Sequence, residues 1–284
     1  MTLIDADGIR THVEVRGSGP PLLMFSPGGF NAVVENWSSL GVYRDMQLIE
    51  QLSVRYTCIL FDKRESGRSG GRVERLTWSD YVRHALALLD ELGHDRAHLM
   101  GGCVGCSAAT AVATVASDRV ASMVLYSPAG GAHYRLGQHD RFHRHLAYVR
   151  VHGLEAVVER ARSRESPFNR DPEVGPWGSV IARDPDFAAR YAAADPDRYV
   201  TMVTGMARTL FDRDTVPGPE PEDLIACDVP ALIVPGQDRS HAPSAAHFLH
   251  ECLPSSEMWD VSVADQTARA APQRILRFLE EHRL

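Results

Sequence analysis

The sequence predicts an α/β protein in which a mostly parallel sheet is flanked by helices. Three observations support this fold class: short β-like runs recur along the chain, helical stretches lie between them, and several runs end at glycine, proline or aspartate. Strands that alternate with helices favour a parallel sheet with helices on both faces. The 284 residues suffice for one large core, or for a core with an inserted subdomain.

Seven β-like runs can be identified, and helical patterns separate them. The runs are 12–16, 21–26, 56–61, 97–100, 122–126, 231–235 and 257–261. Residues 81–92 are the clearest helix in the first half of the chain, with Ser79 or Asp80 as its cap and Gly93 at its end. Residues 273–282 are apolar at helical spacing and predict an amphipathic C-terminal helix.

The alternation of strands and helices is interrupted in the middle of the chain. Helical patterns predominate there, at 151–161, 187–194 and 197–211, and β signals are few. Residues 215–224, rich in proline and acidic residues, predict a linker back to the sheet. We therefore expect three segments: core residues 1–129, a mainly helical cap over 130–222, and core residues 223–284.

Composition and charge exclude several classes of protein. The net charge of −7 is spread along the chain, and no basic stripe suggests nucleic-acid binding. No apolar run reaches transmembrane length, and the N-terminus lacks the apolar segment of a secretory signal. The five scattered cysteines argue against a disulfide scaffold. We expect a cytoplasmic protein that acts on a small molecule without cofactor, metal, membrane or nucleic acid; its oligomeric state, a homodimer included, stays open.

The most informative short segment is GGCVG at residues 101–105, between a β-like run and an alanine-rich helical stretch. Gly-x-nucleophile-x-Gly in that context is the pattern of a nucleophile elbow, which presents a side chain at the top of a sheet. The nucleophile is usually serine, whereas this chain has Cys103. A helix N-terminus lowers the pKa of a cysteine, so Cys103 is the candidate nucleophile for acyl chemistry. Cys106 is expected to pack in the core.

Four motifs resemble those of the α/β-hydrolase superfamily, and the resemblance covers nearly the whole chain. They are SPGGF at 26–30, at the place of the oxyanion loop; FDKRESGRS at 61–69, similar to an Asp-x-Arg-Gly-x-Gly-x-Ser turn; the elbow at 101–105; and PGQD at 235–238, similar to the Gly-x-Asp that carries a triad acid. The resemblance implies an α/β-hydrolase fold with a sheet of the eight-stranded type and the helical insertion as a cap.

The resemblance also implies roles for particular residues. The backbone N–H groups of Gly29 and Val104 would form the oxyanion hole. Asp238 would orient a catalytic histidine. Phe30 and Trp37 are candidates for the pocket lining, with core packing as the alternative. His133 in the cap is a candidate for substrate contact, with a solvated position as the alternative.

The sequence departs from the family where the catalytic histidine is expected. Residues 259–274 contain no histidine, and Asp265 or Gln266 lies near the expected position. His241 is the candidate replacement, because it follows Asp238 in a loop that leaves the carboxyl edge of the sheet. With a pKa near neutrality it could act as a base and then as an acid. The alternative is an ordinary solvated loop histidine.

Three hypotheses describe what such a chain does. The first is an enzyme that cleaves a small ester, thioester or lactone through the Cys103 thiolate, with His241 and Asp238 handling the proton. The second keeps the fold and pocket but changes the reaction to carbon–carbon cleavage, lyase chemistry, cyclisation or acyl transfer. The third is a catalytically inactive member that binds a ligand.

Overall fold

Eight strands form one sheet in the computed structural model, which describes residues 2–164 and 166–284. The strands are β1 Thr2–Ala6, β2 Ile9–Arg16, β3 Pro21–Phe25, β4 Thr57–Phe61, β5 Ala97–Gly102, β6 Val120–Tyr126, β7 Ala231–Val234 and β8 Ser256–Met258. Their order across the sheet is β1-β2-β4-β3-β5-β6-β7-β8. β2 runs antiparallel to its neighbours β1 and β4, and the remaining pairs are parallel. The predicted fold class is confirmed.

β1 is the strand that the sequence analysis did not predict. It lies at the edge of the sheet and pairs with β2 in antiparallel register, from Thr2 opposite Val13 to Ala6 opposite Ile9. Of its residues only Ala6 is buried, and Leu3 is 52% exposed. An edge strand that buries so little side-chain surface leaves a weak apolar pattern in the sequence.

Twelve α-helices flank the strands within the described residues. They are α1 Asn36–Ser39, α2 Gly41–Met46, α3 Leu48–Leu52, α4 Trp78–Glu91, α5 Gly105–Val115, α6 Ala132–Arg164, α7 Gly178–Arg183, α8 Pro185–Ala192, α9 Pro196–Leu210, α10 Pro221–Ile225, α11 Pro243–Cys252 and α12 Ala270–Glu281. The expected cap of α4 was wrong. Thr77 precedes its first turn, and the Thr77 N–H donates to the Asp80 carboxylate over 2.7 Å. α6 is interrupted at Gly153, whose φ is 78°.

Helices cover both faces of the sheet. One face packs against α4, α5 and α11 through residues such as Leu88 and Leu249. The other packs against α2, α3 and α12 through residues such as Ile49 and Phe278. Helices α6 to α9 lie between β6 and β7 in the chain, and their apolar side chains form a third cluster that includes Phe30. Because Phe30 follows β3, these helices contact the sheet at its carboxyl edge, where parallel sheets bind ligands.

All five cysteines are free thiols; Cys103 is half-buried and the other four are buried. In the part of the chain that the structure describes, no helix combines the length and the apolar character needed to cross a membrane. Within the same residues, no group of three or more His, Cys, Asp or Glu side chains is arranged to hold a metal ion.

Candidate active site

Cys103 lies in a tight turn between β5 and α5. Its φ of +57° falls in the left-handed region that residues other than glycine rarely adopt. A Cβ on Gly101 would lie 2.5 Å from the backbone N of Cys106. A Cβ on Gly105 would lie 2.3 Å from the carbonyl O of Phe25. The two flanking glycines are therefore a steric requirement of this turn, and the strain at Cys103 is of the kind that clusters at functional sites.

The surroundings of Cys103 favour its thiolate form. Burial raises the pKa of the thiol, but the contact with His241 and its positive charge, together with the backbone at Val104 and at Gly28, outweigh burial. The net effect is a pKa below the ordinary value of 9.0. The partial positive charge at the N-terminus of α5 acts in the same direction.

Asp238 and His241 are joined within one loop after β7. The Nδ1 atom of His241 lies 2.8 Å from Oδ2 and 2.9 Å from Oδ1 of Asp238. The same carboxylate accepts hydrogen bonds from the backbone N–H groups of Ser240, at 2.7 Å, and His241, at 3.0 Å. These bonds fix the carboxylate against the backbone, so the imidazole is held with Nε2 directed away from Asp238.

Nε2 of His241 is buried and makes no hydrogen bond of normal geometry. The Cys103 thiol nonetheless lies close enough for the two groups to shift each other's pKa. Burial lowers the pKa of His241, but Cys103 and Asp238 outweigh burial and raise it to about 9. The thiol pKa is lowered and the imidazole pKa is raised because the thiolate and the imidazolium stabilise each other. Contacts between a nucleophile and its base are often loose before substrate binds.

Gly236 sets the position of His241. A Cβ on Gly236 would lie 2.4 Å from the Cβ of His241, a contact too short to tolerate. We expect Gly236→Ala to displace the imidazole and to lower kcat/KM for an activated ester about 100-fold, since a misplacement of 1 Å has effects of that order. Steady-state kinetics and thermal unfolding of the variant measure this. Gly137→Ala is the matched control, because its Cβ would meet only the end of the Arg141 side chain, at 4.0 Å; equal activity of both variants would contradict the prediction.

Gln266 occupies the region where the family places its histidine. It is fully buried. Its Oε1 accepts a hydrogen bond from the Tyr126 hydroxyl over 2.9 Å, and its Nε2 donates to the carbonyl of Pro235 over 2.8 Å. These two hydrogen bonds connect the loop after β8 to the ends of β6 and β7. Neither of them involves Cys103.

Two concave regions adjoin the turn at Cys103. The first, which we call the enclosed cavity, is mainly apolar and is lined by Phe25, Ser26, Gly29, Phe30, Phe61, Lys63, Trp78, Tyr81, His84, Val104, Gly105, Ala108, Tyr134, Leu210 and Phe211. The second, the open cleft, is lined by Pro27, Gly28, Leu40, Gly41, Val42, Tyr43, Cys103, Ser127, Gly236, Gln237, Asp238, His241 and Val263. Consecutive residues of the same two turns, 28–29 and 103–104, line the two regions, so the regions lie on either side of these turns.

The sequence-derived site residues divide into two groups. Cys103, His241 and Asp238 lie together at the open cleft, and Gly29, Val104 and Phe30 line the enclosed cavity. Trp37 and His133 belong to neither lining.

These last two assignments need correction. Trp37 is 1% exposed and packs edge-on against Tyr43, at 5.3 Å between ring centroids, as a core residue. His133 is exposed in the first turn of α6, and the next residue, Tyr134, faces the cavity instead. A single position along a helix decides which side chain faces inward.

Lys63 is a charged cavity residue that the sequence analysis did not single out, since it lies within the FDKRESGRS turn. Its neighbour Asp62 has a structural role in that turn, accepting hydrogen bonds from the N–H groups of Val34 and Arg68 at 2.9 and 2.8 Å. The available signal was the position of Lys63, two residues after the end of β4 at the carboxyl edge.

The chain matches the family model described as alpha/beta hydrolase fold over residues 21–170. This match covers more than half of the 284 residues, and the chain belongs to that family. The resemblance inferred from the four motifs is therefore confirmed.

Curated relatives match only part of their own length. A Cupriavidus necator protein, named the dihydrolipoyllysine-residue acetyltransferase component of an acetoin cleaving system, is 29% identical over 44% of this chain and 31% of that protein. An Azorhizobium caulinodans protein, provisionally named a carbamate hydrolase, is 30% identical over 58% of this chain and 54% of that protein. The chain thus spans about a third to a half of the length of these relatives.

Solved structures resemble the chain over nearly its whole length. The enol-lactonase from Burkholderia xenovorans LB400 has a TM-score of 0.63 at 18% identity, over 98% of this chain and 100% of that one. A likeness at this identity shows the fold alone. Membership of the family and the relative named as a carbamate hydrolase agree with the prediction of a hydrolase enzyme.

Proposed function

We propose that this protein hydrolyses a small ester, thioester or lactone through a covalent acyl intermediate on Cys103. The observation that carries the proposal is that Cys103 and His241 line the same cleft, with the imidazole held by Asp238 over 2.8 Å. A thiolate and an imidazolium that share one cleft, with the thiolate at a strained turn, would supply a nucleophile and a proton donor.

In the first step the Cys103 sulfur attacks the carbonyl carbon of the substrate. The carbonyl oxygen takes the negative charge and accepts hydrogen bonds from the proposed donors, the N–H groups of Val104 and Gly29. When the tetrahedral intermediate collapses, the bond to the leaving group breaks and Nε2 of His241 gives that group its proton. The products are a thioester on Cys103, a neutral imidazole and the released alcohol or thiol.

In the second step water attacks the thioester. His241 takes one proton from the water, and the water oxygen forms the new bond to the acyl carbon. Collapse expels the Cys103 thiolate and releases the acid, so the sulfur and the imidazolium return to their starting states. One water molecule is consumed for each bond cleaved.

The other buried cysteines show why Cys103 stands apart. Burial raises the pKa of Cys58 to about 12. Burial and the nearby Cys103 charge also raise the pKa of Cys106, whose Sγ donates to the carbonyl of Gly101 over 3.2 Å. Both are thiols at neutral pH and make poor nucleophiles.

The proposal predicts an acyl-enzyme. Rapid mixing with p-nitrophenyl acetate, quenched in acid, is expected to add about 42 Da per chain, located at Cys103 by peptide mapping. The adduct must form and decay at least as fast as turnover, which separates an intermediate from slow labelling of a reactive thiol. Turnover with no adduct at Cys103, or an adduct that outlasts many turnovers, would refute the covalent route.

Acyl transfer to an acceptor other than water is a second candidate, favoured by the open cleft. Cys103 and His241 both line this cleft, which leaves the acyl carbon accessible from a side separate from the enclosed cavity. Added thiols or alcohols would then divert product from the free acid to a new thioester or ester, with the same acyl-enzyme as precursor.

A further inference from the structure

Lys63 is the single lysine among the 284 residues. It lies just after β4 and lines the enclosed cavity together with Gly29 and Val104, the proposed oxyanion donors. The cationic side chain therefore shares one mainly apolar space with the position where the reacting carbonyl would lie.

The contacts of Lys63 leave donors free. Its Nζ donates to the Tyr81 hydroxyl over 3.1 Å and lies 4.5 Å from the centroid of the Tyr81 ring and 4.7 Å from that of Phe30. Among residues 2–164 and 166–284, no carboxylate forms an ion pair with it. Glu65 is instead bound by Arg64, with Nε 2.9 Å from Oε1. An ammonium has three N–H donors, and one is used here.

This ammonium is expected to be charged at neutral pH. Burial lowers the pKa of Lys63 to about 8, which still lies above neutral, so the ammonium form predominates at pH 7. Two aromatic faces partly replace the lost hydration. Lys63 is half-buried. A partly desolvated cation without a bonded anion is costly, so a ligand that places a negative charge beside it is favoured.

We propose that Lys63 determines specificity by binding a carboxylate at the far end of the acyl group. The substrate class is then a monoester, monothioester or lactone of a short dicarboxylic acid. Its reacting carbonyl lies at Cys103, its methylene chain against the apolar walls, and its free carboxylate at Lys63. The inference rests on the proposed function for the position of the reacting carbonyl.

Tyr81 supports the same geometry. Burial raises the pKa of its phenol well above the usual range, so the hydroxyl keeps its proton. It accepts from Lys63 and retains one O–H to donate, so ammonium and phenol together offer two adjacent donors for the two oxygens of a carboxylate.

Matched p-nitrophenyl esters test the proposal. The wild-type protein is expected to favour p-nitrophenyl hemiglutarate over the neutral p-nitrophenyl valerate by about 10- to 100-fold in kcat/KM, since a charge-assisted pair discriminates on that scale. Lys63→Met should remove this preference, so that the kcat/KM values for the two esters differ by less than about threefold. Arg150→Met, which removes an exposed cation from α6, is the control and should keep the preference. An unchanged ratio in Lys63→Met, or equal losses on both esters, would overturn the proposal; hemisuccinate and hemiadipate cover other chain lengths.

A binding measurement separates this inference from the covalent mechanism. In the Cys103→Ala background, calorimetry should show glutarate monoamide binding at least about tenfold more tightly than valeramide, and adding Lys63→Met should abolish the difference. If that preference is found while no acyl-Cys103 forms, the carboxylate site stands and the catalytic proposal falls. If Cys103 is acylated but the two amides bind equally, the carboxylate site falls alone.

Discussion

Replacing Cys103 with alanine is expected to lower kcat/KM for an activated ester by at least about 10³-fold, because the sulfur that forms the acyl bond is lost. The oxyanion donors and the cavity remain, so a residual rate above that in water should persist. Initial rates with p-nitrophenyl acetate measure the loss, and thermal unfolding checks that the fold is intact.

The control for this variant is Cys252→Ala, which removes a buried thiol in α11, far along the chain from the elbow. It should retain activity within about threefold. Near-normal turnover in Cys103→Ala would show that the reaction does not pass through a thioester, and would favour the non-covalent chemistries among our hypotheses.

Removing the imidazole should raise the thiol pKa, because His241 is what opposes the effect of burial on Cys103. We expect His241→Gln to slow alkylation by iodoacetamide about 10- to 100-fold at pH 7, since an unassisted thiol with a pKa of 9 is only about 1% ionised there. The inflection of the rate against pH lies below 9.0 in the wild type and moves upward in the variant. The rates should converge above the higher inflection; identical profiles would refute the pairing.

The pKa of His241, raised to about 9, predicts that turnover falls again at high pH. Turnover should rise as Cys103 ionises and fall as the imidazolium loses its proton near pH 9, because the leaving group then has no proton donor. Asp238→Asn removes one of the two groups that raise this pKa, so its falling limb should move to lower pH. Because Cys103 and His241 influence each other's ionisation, the two apparent pKa values of this profile describe the pair and not the single residues.

Local sequence predicted the fold and the central residues of the candidate site. The glycines at 101 and 105 are short-range steric requirements of the turn. Asp238 and His241 lie within four consecutive residues. Short sequence segments therefore suffice to predict both features. Packing between segments that are far apart in the chain cannot be predicted from such short segments. Trp37 and Phe30 are both aromatic residues after β3, and only the folded chain decides which lies in the core and which faces the cavity.

The same limit explains the edge strand and the lysine. β1 buries one side chain fully, so it leaves little periodic signal. Lys63 occupies a motif position typical of a structural turn, and its relation to the cavity depends on Tyr81 from α4 and on Tyr134 from α6. Distances between such remote segments are set by tertiary contacts that no local pattern encodes.

Because Asp238 and His241 lie three positions apart on one loop, local hydrogen bonds alone fix the acid relative to the base. In a triad assembled from two loops, the acid–base distance depends on the packing of both loops, whereas here it depends on one short segment. Residues from Thr267 onward line neither the enclosed cavity nor the open cleft, and α12 instead packs Ile275 and Phe278 into the core. The last helix therefore supports the sheet, while the proposed acid and base both come from the loop after β7.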